Sequence, residues 1–139
     1  MAWASIFWPL VAMAALTLAV MLLTRRERIG QFRRDRIHPQ SVSTSAQMAA
    51  RLTDSRCADN LRNLFELPVL FYVAVLAAFV TAQGSVVVTG LAWTYVALRV
   101  AHSVIHCGYN KVTHRFVAFL ASALVLFVLW ARLAWGLIG

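Results

Sequence analysis

Two groups of polar residues interrupt an otherwise apolar chain at spacings that chemistry can use. Asp59, Arg62, Asn63 and Glu66 fall at offsets 0, 3, 4 and 7, and Arg99, His102 and His106 at 0, 3 and 7. Each set marks one stripe of a 3.6-residue helix. Facing each other near the same end of two helices, they would line a polar crevice, with Lys111, His114 and Arg115 over its mouth. Its surplus of arginine suits an anionic ligand with many hydrogen-bonding groups. An arginine fork holds a carboxylate through two parallel bonds, and a carboxylate such as Glu66 holds an amino group. Quieter uses of the same residues stand beside this one. Glu66 with Arg62 or Arg99 also makes an interhelical ion pair that fixes register. Asn63 also serves as a hydrogen-bonded bridge between helices. His102 and His106 form an H-x-x-x-H pair able to grip a metal if Glu66 adds an oxygen. Cys57 and Cys107 have no partner base at nucleophile spacing and read as inert thiols.

The elements that must position these residues are membrane helices. Hydrophobic residues make up 61% of the 139, charged residues 13%, and the mean hydropathy is +0.72. A soluble domain carries about 25% charged residues. The composition excludes a disordered chain, a nucleic-acid-binding arm and a disulfide-stapled module, so no nucleic-acid partner is expected. Apolar runs cover about 3–24, 61–82, 86–107 and 116–138, and about 20 residues cross a bilayer. The expected fold is all-α: a single integral membrane domain over 1–139, a four-helix bundle with helices near 3–24, 45–82, 86–107 and 115–138. The first run has no basic start and is long enough to span, so it reads as a retained helix and not a signal peptide. The second helix is expected to start well before the membrane, capped by Ser43 or Thr44. The Ala82–Ser85 turn makes the second and third helices antiparallel neighbours.

Charge sets the orientation. The net charge is +8, from twelve arginines and Lys111 against five acids. Eight arginines lie between Arg25 and Arg56, and Lys111 and Arg115 sit between the last two helices. By the positive-inside rule, both basic loops face the cytoplasm and both termini face out. The Arg25–Arg36 run is expected to touch lipid headgroups, and Trp3, Trp8, Trp93, Trp130 and Trp135 to act as interface anchors and lipid-facing bulk.

The second-helix segment resembles the hallmark of the MAPEG family (membrane-associated proteins in eicosanoid and glutathione metabolism). Arg56-Cys57-Ala58-Asp59-Asn60-Leu61-Arg62-Asn63-Leu64-Phe65-Glu66-Leu67-Pro68 is similar to its arginines followed by Asn-x-x-Glu, a nearby proline and an apolar run. Arg99-Val100-Ala101-His102-Ser103 is similar to the Arg-Val-Ala-His-Thr of its prostaglandin E synthase branch. The chain departs from the pattern at Asp59, where well-known members carry a glutathione-binding Arg, and at His106 and Phe119, where they carry Tyr.

The resemblance implies a homotrimer with glutathione bound between adjacent subunits near the cytoplasmic face. By position, Arg62, Asn63, Glu66, Arg99, His102 and His106 would bind glutathione, with catalytic Arg115 beside the sulfur. The implied activity is a glutathione-dependent transferase or peroxidase in a bacterial inner membrane. It would act on lipophilic electrophiles or lipid peroxides, drawn from the bilayer as small lipophilic molecules. Two other readings remain. One is a non-catalytic family member that binds a lipid or stabilises a membrane complex. The other is a metal-dependent membrane enzyme using His102, His106 and Glu66.

Overall fold

The computed structural model describes residues 5–138, and among them there are helices and turns but no strands. Trp3, expected at the start of the first helix, lies outside the described residues. Four stretches are long and apolar enough to cross a membrane: Phe7–Arg34, Arg56–Val80, Val86–Cys107 and Val112–Ile138. The protein is an all-helical, four-span integral membrane bundle.

Helix α1 runs Phe7–Arg34, ten residues beyond the expected end at 24. The apolar run does stop at Thr24, but arginine and glutamate are good helix formers, and the single Gly30 costs only about 1 kcal/mol within Arg25–Arg34. The chain turns only where Arg36 takes a φ of 52°. At 1.5 Å per residue α1 is roughly 42 Å long, so about its last two turns stand beyond a bilayer core of about 30 Å. Its inward residues, Ile6, Met13, Val20, Thr24 and Gln31, recur at sevens and a four, the spacing of a helix packed along its length.

After a 3-10 turn at Pro39–Val42, the short helix α2 covers Ser45–Arg51. Thr44 caps it, with Gln47 reaching back in a capping box. The expected continuous helix over 45–82 is three pieces: α2, α3 (Arg56–Asn63) and α4 (Leu67–Val80). Pro68 breaks the last joint. It has no N–H for the Leu64 carbonyl, and its ring clashes with that carbonyl. The backbone tightens there to Phe65 N→Arg62 O (2.9 Å) and Glu66 N→Asn63 O (3.4 Å).

The Thr81–Ser85 turn carries Ala82 at φ 58°, and Ser85 caps helix α5 (Val86–Cys107) by accepting from Val88 N. Helix α6 is Val112–Ile138 and packs along α5. The core joins Met13 and Val20 to Phe71, Val75, Val88, Tyr95, Leu126 and Leu129. Phe71 and Tyr95 stack at 4.6 Å. The outward faces stay apolar (Leu18, Val73, Val117, Leu124 and Phe127 are exposed), as a helix surface solvated by lipid requires. Trp8, Trp93 and Trp135 are exposed on this surface, while Trp130 packs partly against the core.

Candidate functional site

The α5 stripe is where the spacing put it. Arg99, His102 and His106 all point inward, with 0, 2 and 3% of their surface exposed. They do not line an open crevice, as the sequence suggested, but are bonded into the bundle. Helix α3 presents a different face from the one expected. Cys57, Asn60 and Leu64 are buried against α5, and Arg62 and Glu66 are exposed. Asn60 sits between Ser103 Oγ and Cys107 Sγ, each at 3.5 Å. Sequence reasoning missed Asn60. Its signal was available: 57, 60 and 64 form the uncharged stripe of a segment whose other faces carry Asp59 and Arg62. Burial goes to the face that need not desolvate a charge.

Arg62 pairs with Asp59 at 3.3 Å and not with Glu66, because the helix ends between them. Among the described residues the Glu66 side chain has no hydrogen bond or ion pair, and Arg99 does not bond to it. Instead Arg99 Nη2 donates to the Asn63 carbonyl at 2.7 Å. The end of α3 leaves that carbonyl with only the long bond from Glu66 N (3.4 Å), and a guanidinium at a helix C-terminus is the favourable charge there. Arg99 Nε and Nη1, with the Tyr95 hydroxyl one turn away, are buried without partners.

The two histidines and Arg115 form a closed ring. His102 Nδ1 lies 2.8 Å from the Arg115 carbonyl, which can only accept. His102 therefore carries its proton on Nδ1 and offers Nε2, 3.3 Å from His106 Nδ1, as acceptor. His106 in turn donates from Nδ1 and accepts at Nε2 from Arg115 Nη1, 2.8 Å away. Both rings are the Nδ1–H tautomer. Arg115 Nη1 also donates to Asn110 Oδ1 at 2.9 Å, and Asn110 holds the αL turn (φ 53°) between α5 and α6.

Arg115 is half-buried in the first turn of α6, where the helix dipole is positive. A cation there is costly unless something fixes it, and the ring does so. Lys111 stays exposed, and His114 bonds the Tyr109 hydroxyl at 2.9 Å. The alternative metal grouping of His102, His106 and Glu66 does not assemble, since Glu66 is on the other side of the break and both histidines spend their second nitrogens in the ring. Among the described residues no three of His, Cys, Asp and Glu are grouped to hold a metal ion. Cys57 and Cys107 are free thiols.

A cavity of about 260 Å³ opens beside α3 at the basic end, with Glu27, Arg28, Met48, Asp54, Asp59 and Arg62 in its wall. Asp54 in this wall is tied to α1 by Gln31, which donates to the Asp54 carbonyl (2.7 Å) and accepts from the Asp54 N–H (3.1 Å). Asp54 binds Arg56 through both carboxylate oxygens, and this pairing holds its carboxyl below the usual carboxylate range. Arg56 also reaches the Gly108 carbonyl, tying α3 to the end of α5.

The sequence model of the MAPEG family matches residues 6–135. Comparison with curated proteins and with solved structures returns no match for the chain.

Proposed function

Because the chain belongs to the MAPEG family over residues 6–135, we propose that it is a glutathione-dependent transferase or peroxidase on lipophilic electrophiles or lipid peroxides. The observation that carries this reading is the fixed guanidinium of Arg115. It stands at the N-terminus of α6, so the helix and the arginine both favour an anion at one place. A thiol held there loses its proton more readily. The thiolate sulfur then bonds to an electrophilic carbon of the lipophilic substrate as that carbon's bond to a leaving group or an epoxide oxygen breaks, and the departing atom keeps the electron pair and takes up a proton. With a hydroperoxide it takes the terminal oxygen as the O–O bond breaks and an alcohol leaves. A second glutathione then converts the sulfenic acid to glutathione disulfide and water.

The residues divide differently from the sequence expectation. Asn63 and Glu66 keep side chains available to a ligand, since both are bonded only through their backbone, and Arg62 stays exposed beside Asp59. In this reading Arg62 and Glu66 bind the charged ends of glutathione. Arg99, His102 and His106 act from behind: Arg99 holds the break that presents Asn63, and the histidines hold Arg115. An exposed Glu66 next to an exposed Phe65 at the mouth of a membrane span is a poor surface for lipid. A neighbouring copy covering it, in a homotrimer with the basic end in the cytoplasm of a bacterial inner membrane, resolves that cost.

The test is thermal unfolding of the detergent-purified protein with millimolar glutathione, against glutathione disulfide and a thiol-free analogue. Glutathione is expected to raise the melting temperature by mass action. No shift with any of the three overturns the proposal and leaves the non-catalytic, lipid-binding reading of the same family.

A further inference from the structure

The extension of α1 beyond the apolar run has two unlike faces. Glu27, Arg28 and Gln31 turn toward α3 and the cavity. The opposite side is a groove lined by Leu22, Arg25, Arg26, Ile29, Gly30 and Arg33. Those positions fall at offsets 0, 3, 4, 7, 8 and 11, one continuous stripe along the helix. Among the described residues the side chains of Arg25, Arg26 and Arg33 make no hydrogen bond or ion pair, and the groove is lined by no acidic residue. Gly30 leaves its floor bare, with nothing within 4 Å of where a Cβ would be. Toward the other end of α1 the same side continues as exposed Leu22 and Leu18, 54 and 52% accessible.

We propose that this stripe is a binding site for an anionic phospholipid of the leaflet at the basic end. Arg25, Arg26 and Arg33 hold the headgroup phosphate over Gly30, and an acyl chain lies along Leu22 and Leu18. Three features converge on a lipid in place of a free phosphate. The guanidiniums begin at the residue after the apolar run ends, where a headgroup lies. The groove is half apolar, with Ile29 and Gly30 between the charges and Leu22 at its apolar end. It also opens sideways on a helix surface that lipid already covers. The inference does not rest on glutathione chemistry, because none of these side chains lies in the Arg115 ring.

The test is native mass spectrometry of the detergent-purified protein, offered phosphatidylglycerol, phosphatidylcholine or soluble glycerol phosphate. The wild type is expected to retain phosphatidylglycerol well above phosphatidylcholine and to ignore glycerol phosphate. Each basic side chain near an anionic surface is worth roughly fivefold in binding, so Arg25→Gln/Arg26→Gln/Arg33→Gln together should erase the preference. Gly30→Glu does so without removing an arginine, by placing a carboxylate among them, and glutamate suits a helix better than glycine. Lys111→Gln, in the other basic loop, should leave the preference intact. Equal retention of the two lipids by the wild type overturns the proposal. So does a preference that survives both groove variants, or binding of glycerol phosphate as strong as that of the lipid.

Discussion

Arg115 and His106 are joined at 2.8 Å between Nη1 and Nε2, and this bond fixes the hydrogen positions of the whole ring. With His106 accepting from Arg115, its proton is on Nδ1 and points at His102 Nε2, 3.3 Å away. His102 then donates to the carbonyl of Arg115 itself. One residue thus closes the loop through both its side chain and its backbone. The start of α6, the end of α5 and the Asn110 turn are held as a unit.

His106→Phe keeps a ring of similar size but can neither accept from Arg115 nor donate to His102. Hydrogen bonds to charged groups are worth about 1.5–3 kcal/mol, so the variant should lose stability on that scale in detergent unfolding. A double-mutant cycle with Arg115→Met should show a coupling of about 1 kcal/mol or more. Strict additivity of the two changes would mean that the ring holds nothing together.

Arg99 gives the opposite expectation. It is fully buried, it satisfies one carbonyl, and two of its three guanidinium nitrogens have no hydrogen-bond partner. Replacing a poorly paired buried charge by an apolar residue of similar length is often neutral or stabilising. Arg99→Met should melt within about 1 kcal/mol of the wild type, or above it. A large loss of stability would show that those two nitrogens find a partner in the assembled protein, with Glu66 as the first to examine through Glu66→Gln.

These two residues also show what was readable in advance. Residues 99, 102 and 106 share one unbroken helix, so a count of 3.6 per turn put them on one inward stripe, as they are. The same count failed for 59–66 because it assumed one helix through Pro68. Once the chain breaks at Leu64–Glu66, the i,i+4 relation between Arg62 and Glu66 no longer exists, and Arg62 takes Asp59 within its own helix. The four spans were legible because hydropathy integrates over 20 residues. The continuation of α1 to Arg34 was not, because a charged residue ends an apolar run without ending a helix. The histidine ring was legible in its parts but not in its closure, since nothing local relates position 106 to the side chain at 115.

Turn chemistry offers a stability test away from the site. Ala82 adopts φ 58°, a left-handed conformation in which a Cβ costs about 1 kcal/mol. Ala82→Gly should raise stability by roughly 0.5–1 kcal/mol, the steric relief being offset in part by glycine's looser unfolded chain. Ser85→Ala, three residues on, removes the cap on Val88 N and should cost about 1 kcal/mol. Thermal unfolding of the pair, with opposite signs expected, checks both.

Acid should loosen the joint between α1 and α3. The Arg56 bonds hold the Asp54 carboxyl below its ordinary range in the folded chain. A depressed carboxylate contributes stability above its unfolded pKa, about 3.9, and the contribution is lost as pH falls through the folded value. The wild type should therefore lose stability below about pH 4, and Asp54→Asn should show a flatter profile there. Because this ion pair is largely solvated, the effect should shrink at high salt. Equal acid slopes for the two proteins would remove Asp54 as the source.

Arg115 is the side chain on which the enzymatic reading depends. Its surroundings argue for a role in chemistry and against a role in packing alone. A cation at the N-terminus of α6 opposes the helix dipole, and the chain spends two histidines and Asn110 on keeping it there. Removing a preorganised donor from a developing anion costs about 10²–10³ in turnover. Arg115→Ala should therefore lower glutathione-dependent turnover by at least about 100-fold, while the thermal shift with glutathione, attributed to Arg62, Asn63 and Glu66, persists. Arg115→Lys should fall between, because an ammonium carries the charge on a shorter, more strongly hydrated head than the guanidinium whose Nη1 donates to both His106 and Asn110. If the alanine variant turns over at the wild-type rate, the sulfur lies elsewhere. The ring would then be a device for closing the α5–α6 corner, measurable as lost stability and not as lost chemistry.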